Sequence, residues 1–148
     1  MSPVVSKHEF RAPAEVLETE RERLNLPEPK LPIQIASAPL LGTWVNCDHQ
    51  TRSLVRLMID PKEQEITLHA FGACTPNPCD WGKVDAIVYA ESVVTTPAVG
   101  FTAIYKFNFE EVVITGHLLK GALMVETYHH FTDNSGRADY FYLDMLTK

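Results

Sequence analysis

Positive charge is scarce in this sequence. It has 13 Lys and Arg residues against 19 Asp and Glu residues, which gives a formal net charge of −6 at pH 7. A chain with this balance presents no basic field to a polyanion, so nucleic acids and anionic membranes are poor candidates for its partners. The chain also has no apolar run that approaches the ~18 residues of a membrane-spanning helix. The composition therefore favours neither a nucleic-acid-binding nor a membrane-embedded protein.

A secretory signal and a disulfide framework are lacking as well. Residues 1–10 contain no basic stretch followed by an apolar one, which is the pattern of a secretory signal. We therefore expect a cytoplasmic protein. The cysteines, Cys47, Cys74 and Cys79, are odd in number, and in a reducing compartment we expect them to be free thiols.

The distribution of proline divides the chain in two. Six of the ten prolines lie within residues 1–39, and the other four are spread over residues 40–148. We treat residues 1–39 as a leader and residues 40–148 as one domain, which is long enough to bury a core. Within the leader, residues 14–24 follow Pro13 and are rich in helix-forming residues, so they predict a short helix. Residues 27–39 predict an extended, proline-rich strap.

From Leu40 onward, apolar residues recur with a period of two, which is typical of β-strands. Eight such runs cover residues 40–46, 53–60, 65–71, 83–90, 101–108, 111–119, 122–131 and 139–146. The short turns between them predict that consecutive strands pair antiparallel. Because closure removes exposed edges, we predict an all-β fold, an eight-stranded antiparallel up-and-down barrel, with a β-sandwich as the alternative. Several strands are apolar on both faces, so we expect the leader helix or a second copy, in a homodimer, to cover the outer face.

The first predicted strand opens with Leu41, Gly42, Thr43 and Trp44. A Gly-x-Trp at this position, followed by an eight-stranded meander over residues 39–148, resembles the lipocalin and avidin-like barrels of the calycin superfamily. The resemblance implies that Trp44 packs at the closed base of the barrel and that a basic residue near the last strand, here Lys148, lies across it. A second lipocalin motif and avidin's biotin-contacting residues are not found, so the resemblance implies a shape more than a ligand.

If the strands alternate in direction, the loops after the first, third, fifth and seventh strands lie at one end of the barrel. In lipocalin-like barrels this is the open end, and here it carries Cys47, His49, Cys74, Cys79, Asp80 and Trp81. Three chemical interpretations compete with simple packing: a zinc site, a cysteine nucleophile beside His49, and a redox pair of Cys74 with Cys79. The spacing matches no standard motif, so packing is preferred and we expect no metal and no other cofactor.

The period of two also groups polar side chains by strand face. One grouping sets tyrosines, histidines and a few charged groups along an apolar wall, as in many ligand pockets. The predicted ligand-binding residues are Arg56, His69, Tyr105, His117, Glu126, Tyr128 and Tyr142. Sequence alone does not determine which face of each strand points inward.

Three functions are compatible with such a barrel. The first is a cytoplasmic carrier or sensor for a small organic ligand that is largely apolar or aromatic, since eight strands can enclose one small molecule. The second is an enzyme of the cyclase, isomerase or dehydratase type, with Glu126 or a histidine as general acid or base. The third is a structural or oligomeric interaction protein whose interior is filled by side chains.

Overall fold

A computed structural model describes residues 33–148 and, in the preceding segment, Leu24 alone. Residues 33–148 contain a 3-10 helix, Ala38–Leu40, and eight strands. The strands are β1 (Gly42–Asn46), β2 (Leu54–Lys62), β3 (Glu65–Gly72), β4 (Cys79–Ala90), β5 (Ala98–Lys106), β6 (Glu110–Leu119), β7 (Ala122–Phe131) and β8 (Tyr140–Thr147). Apart from Leu24, the helix predicted over residues 14–24 lies outside the described residues, as does most of the predicted strap.

The eight strands pair antiparallel in sequence order, and β8 pairs with β1, so the sheet closes into a barrel. The predicted all-β, eight-stranded up-and-down fold is confirmed, and every predicted strand is present. The largest difference in bounds is at β4, which begins at Cys79 instead of residue 83. Cys79 and Asp80 continue the pairing with β3 beyond a β-bulge, and such an irregularity hides the period of two in the sequence.

The barrel interior is a packed core. The largest fully buried side chains are Tyr105, Phe101, Leu40, Leu54, Leu57, Ile59, Ile66, Leu68, Ile114, Leu123, Leu146 and Val112. They come from β2, β3, β5, β6, β7, β8 and the 3-10 helix, and they alternate with exposed or partly exposed residues along each strand. Burying side chains of this size supplies the main stabilisation of the fold, at roughly 25 cal/mol per Å² of apolar surface removed from water.

Trp44 closes one end of the barrel, at the beginning of β1. Its indole is buried, and its Nε1–H donates a hydrogen bond of 2.8 Å to the carbonyl oxygen of Leu40. The Nζ atom of Lys148 lies 4.8 Å from the centroid of the Trp44 ring, where the ring quadrupole attracts a cation. The two features implied by the calycin resemblance, a buried tryptophan at the base and a basic residue across it, are therefore confirmed.

The chain enters the barrel through Ala36, which forms a parallel bridge to Pro97. The N–H of Ala36 donates to the carbonyl oxygen of Thr96 at 2.6 Å, and its own carbonyl oxygen accepts the N–H of Ala98 at 2.8 Å. Because Pro97 has no N–H, it is suited to a position outside the ladder, at the start of β5. These bonds hold the described end of the predicted strap beside the start of β5.

Candidate functional site

The end of the barrel opposite Trp44 carries a small pocket. It lies where β3 and β7 end and where β2, β4 and β8 begin, and its volume is about 100 Å³. The lining residues are Arg52, Ser53, Gly72, Ala73, Cys74, Cys79, Trp81, His129, Tyr140 and Tyr142. We call this space the mouth pocket. It has room for a small planar group or for about three water molecules.

A buried histidine and a buried glutamate form a pair at the mouth pocket. The Nδ1 atom of His129 lies 3.0 Å from Oε2 of Glu110, and both side chains are at least 90% buried. The His129 ring also stacks on the ring of Tyr140, with centroids 4.2 Å apart and planes within 6°. The Nε2 atom of His129 has no hydrogen-bond partner within residues 33–148, so it is the ring nitrogen left for a ligand.

Trp81 joins this pair to the other aromatic residues of the mouth. Its ring makes edge contacts with Tyr105, Phe107 and His129, at centroid distances of 5.5, 5.9 and 6.0 Å. The indole packs directly over Gly72, where an added Cβ would lie 2.7 Å from Nε1. Any larger residue at position 72 would therefore push Trp81 away from the pocket.

The interior just below the mouth pocket is polar. Thr127 is one inward position below His129 on β7, and Asp144 is one inward position below Tyr142 on β8. Within residues 33–148, Oγ1 of Thr127 and Oδ2 of Asp144 are buried without a hydrogen-bond partner. Buried polar atoms are nearly always satisfied by protein, ordered water or ligand, so this level of the barrel suits water or a polar group.

Cys74 and Cys79 form a disulfide, which differs from the free thiols that we predicted. Their Cα atoms are 5.4 Å apart because the pairing of Gly72 with Cys79 brings the two chain segments together. The zinc hypothesis thereby loses two of its thiolates, and the described part of the chain holds no group of three or more metal-ligating side chains. Cys47 is exposed and has a free thiol.

Two of the seven predicted ligand-binding residues point into the barrel. Tyr142 lines the mouth pocket. Tyr105 lies deeper, and its hydroxyl accepts the N–H of Ala70 at 3.1 Å and donates to the carbonyl oxygen of Gly82 at 2.9 Å. Burial raises the pKa of Tyr105 to about 12, so this hydroxyl stays protonated at neutral pH and serves the packing of the sheet.

The other five lie on the outer face of the barrel, not in the interior where the predicted grouping placed them. Arg56 and His69 form one cluster there: the guanidinium lies 4.1 Å from the centroid of the Phe71 ring, which stacks on His69 at 4.4 Å. The Nε2 atom of His69 is 2.6 Å from Oδ1 of Asp80. The backbone N–H of Gly82 and the His69 ring lower the pKa of that Asp80 carboxyl.

His117, Glu126 and Tyr128 lie on the outer faces of β6 and β7. The Tyr128 hydroxyl donates a hydrogen bond to the Glu126 carboxylate, which raises the pKa of Tyr128 above its ordinary value. Glu126 is therefore far from the buried, desolvated position expected of it as an acid or base. Ligand binding by these outer residues stays a prediction.

Sequence reasoning did not select Glu110, His129 or Tyr140. A usable signal was present in β7, where His129 follows Leu123, Val125 and Thr127 at alternate positions, the more apolar of the two strand faces. Partial burial raises the pKa of Tyr140, a residue that is still 43% exposed.

The fold and the site together define a class of protein: a closed eight-stranded up-and-down barrel with an aromatic pocket at one end. No family model matches this chain, and neither a curated protein nor a solved structure matches it. Within the part of the chain that the structure describes, no helix is long and apolar enough to cross a membrane.

Proposed function

We propose that this chain is a calycin-type barrel that binds a small organic molecule at the mouth pocket. The observation that carries the proposal is the buried pair of His129 and Glu110 beside the rings of Trp81 and Tyr140. Buried ionisable groups are costly, and at the opening of a barrel they are most simply explained by a ligand that uses them. The packed core below leaves the mouth as the place for the ligand.

The geometry narrows the chemistry of this ligand. When Nδ1–H of His129 donates to Glu110, Nε2 carries a lone pair and accepts a hydrogen bond. The ligand should therefore offer an O–H or N–H donor on a small planar ring. Trp81, Tyr140 and Tyr142 supply aromatic surface for that ring, and a volume of about 100 Å³ limits it to a single ring or a ring at the end of a larger molecule.

Phenol tests this proposal, with toluene as the matched probe that lacks the hydroxyl. We expect phenol to shift the NMR resonances of the Trp81 indole N–H and the His129 ring, and toluene to bind more weakly. His129→Phe keeps an aromatic ring but removes Nε2, so it should weaken phenol binding about tenfold, the value of one hydrogen bond of ~1.4 kcal/mol. His117→Phe, on the outer face, is the control and should bind phenol as the original chain does.

Gly72→Ala provides a second variant in case His129→Phe fails to fold, because it displaces Trp81 without touching the histidine. We expect it to weaken phenol binding as well. Equal binding by all variants, or shifts confined to residues remote from the mouth pocket, would contradict the proposal.

An acid–base enzyme is a second candidate, and the same pair of residues favours it. A carboxylate bonded to Nδ1 orients a histidine so that Nε2 can take a proton from a substrate. The acid or base would then be His129 and not Glu126. Chemical conversion of a bound ligand that is lost in Glu110→Gln, with binding retained, would support this function over simple binding.

A cytoplasmic location is part of the proposal, and the Cys74–Cys79 disulfide makes it testable. Disulfides persist mainly in oxidising compartments. Protein labelled rapidly with a thiol reagent in intact cells should show whether the pair is reduced, as a cytoplasmic location predicts, or oxidised.

A further inference from the structure

The outer surface of β5, β6, β7 and β8 carries an apolar row that the proposed ligand site does not explain. We call this surface the β5–β8 face. Ile104, Val113, Tyr128 and Phe141 stand directly opposite one another on the four adjacent strands. All four side chains are between 39% and 58% exposed, and the Tyr128 and Phe141 rings stack with centroids 5.8 Å apart. Four aligned, exposed apolar residues are more than the scattered ones that a monomer ordinarily shows.

The apolar surface is wide enough for the centre of a protein interface. Leu143 and Met145 lie on the same face and are also about half exposed. Six half-exposed apolar side chains expose roughly 500 Å², near the upper limit for a monomeric protein. A standard interface buries roughly 800 Å² per partner, so this patch with its polar surroundings matches one side of such an interface. A groove of about 440 Å³ lies at the mouth end of this surface and has space for side chains of a partner. It is lined by Val113, Tyr128 and Phe141 of the row and by Glu111, His129, His130, Asp139 and Tyr140.

The charges beside the apolar row indicate which partner fits. One position further along the strands, the outer residues are Lys106 on β5, Glu111 on β6, His130 on β7 and, before β8, Asp139. Lys106 on β5 is positive, and Glu111 and Asp139 are negative; His130 lies between these two carboxylates, with its Nδ1 atom 2.8 Å from Oδ2 of Asp139. A two-fold axis parallel to the strands and midway between β6 and β7 would set Lys106 opposite Asp139 of a second copy, and Glu111 opposite its His130.

The same axis places apolar groups against apolar groups. Ile104 would meet Phe141 of the second copy, and Val113 would meet its Tyr128, so the face is complementary to itself as an isologous dimer requires. The remaining carboxylate of the face, Glu126, is already bonded to the Tyr128 hydroxyl and would lie opposite Thr115 of the second copy, which can donate to it. His117 would lie opposite Met124 near the edge of the contact.

We propose that the β5–β8 face is the interface of a homodimer built about this two-fold axis. An apolar centre with polar groups at its rim is the usual anatomy of a protein interface.

Sedimentation velocity on the full chain over a wide range of concentrations tests the proposal. We expect the unchanged chain to dimerise. Val113→Asp places an unpaired carboxylate in the centre of the contact and should weaken dimerisation about 100-fold or more. Val45→Asp is the matched control, because Val45 is a similarly exposed valine (43%) on the outer face of β1, and dimerisation should be unchanged.

A charge exchange tests the axis itself. Lys106→Glu should weaken dimerisation, since it sets two carboxylates against each other across the interface. The double variant Lys106→Glu/Asp139→Lys should recover the dimer. Positions 106 and 139 are three strands apart in one chain, roughly 14 Å, so a recovery reports on contact between copies. Circular dichroism tests whether each variant is folded. If Val113→Asp does not fold, Lys106→Glu and the double variant Lys106→Glu/Asp139→Lys test the proposed dimer.

Four results would overturn the proposal: an unchanged chain that stays monomeric, equal weakening by Val113→Asp and Val45→Asp, a dimer that survives both Val113→Asp and Lys106→Glu, or a double variant that fails to recover. A monomer that binds an apolar dye at this face, with binding lost in Val113→Asp, would show that the groove holds a small apolar ligand instead.

Discussion

Removing the hydroxyl of Tyr105 should destabilise the barrel by much more than a single surface hydrogen bond. The pairing of β3 with β4 shifts register between His69 and Phe71, and the Ala70 N–H at this bulge has the Tyr105 hydroxyl as its partner. The same hydroxyl satisfies the carbonyl oxygen of Gly82 on the facing strand. Tyr105→Phe leaves both backbone groups inside the barrel without that partner and creates no cavity apart from one missing oxygen.

Each buried polar group that loses its partner costs ~1–3 kcal/mol, so Tyr105→Phe should lower the free energy of unfolding by about 3 kcal/mol. In a domain of this size the corresponding fall in Tm is about 10 °C. Urea denaturation at neutral pH, followed by far-UV circular dichroism, measures the change. Tyr89→Phe is the control, because the Tyr89 hydroxyl bonds only the exposed Thr102 side chain, and its removal should change stability by less than ~0.5 kcal/mol.

The reasoning is refuted if Tyr105→Phe costs no more than Tyr89→Phe. That result would mean that water or a small shift of the strands satisfies the bulge without the phenol, and that the role assigned to Tyr105 is wrong.

Two further predictions concern the mouth and its neighbourhood. The double variant Cys74→Ala/Cys79→Ala should lower the free energy of unfolding by about 2 kcal/mol, which is the entropic cost of closing a loop with a sequence separation of 5. A thiol titration of purified, unreduced protein should find one reactive thiol, that of Cys47. Three reactive thiols would contradict the disulfide. The hydrogen bond between His130 and Asp139 raises the pKa of His130 and lowers the pKa of Asp139. The pair therefore stabilises the fold between the ordinary pKa of an aspartate and that of a histidine. This stabilisation is lost at low pH, when the pH falls through the folded pKa of Asp139, and at high pH, when it rises through the folded pKa of His130. Asp139→Asn should therefore lower the urea midpoint most at about pH 5, and the effect should be smallest at pH values well above neutral. In an NMR titration of this variant, the pKa of His130 should fall toward its ordinary value of ~6.5. A His130 pKa that the substitution leaves unchanged would contradict the pairing.

The strands and their order could be predicted because their signals are local. Alternating apolar residues mark each strand, and turns such as Leu119, Lys120 and Gly121 are short enough to force neighbouring strands to pair antiparallel. Closure followed from the cost of open edges. The contact at the base of the barrel could also be predicted, because Trp44 and Lys148 lie at the two ends of the meander and closure brings those ends together.

The site could be predicted only in part. Tyr142 was placed in the barrel interior and lines the mouth pocket, and the predicted rim residues Cys74, Cys79 and Trp81 line it as well. Glu126 and Tyr128 were placed inside and lie outside, because an error of one position in a strand exchanges its two faces. The enclosed face of β7, with Leu123, Val125 and Thr127, is the more apolar one, whereas the prediction followed the polar groups of the opposite face.

Sequence by itself determined that this chain forms eight strands paired antiparallel in sequence order, because strand period and turn length are properties of neighbouring residues, and it favoured a closed barrel over a β-sandwich. Only the tertiary structure decided that His129 rather than His130 meets Glu110 inside, and that Cys74 reaches Cys79. The physical reason is that inward and outward are defined by the ring as a whole. Whether a side chain points inward depends on the bulges and the register of all eight strands together, so the sequence of one strand does not determine it.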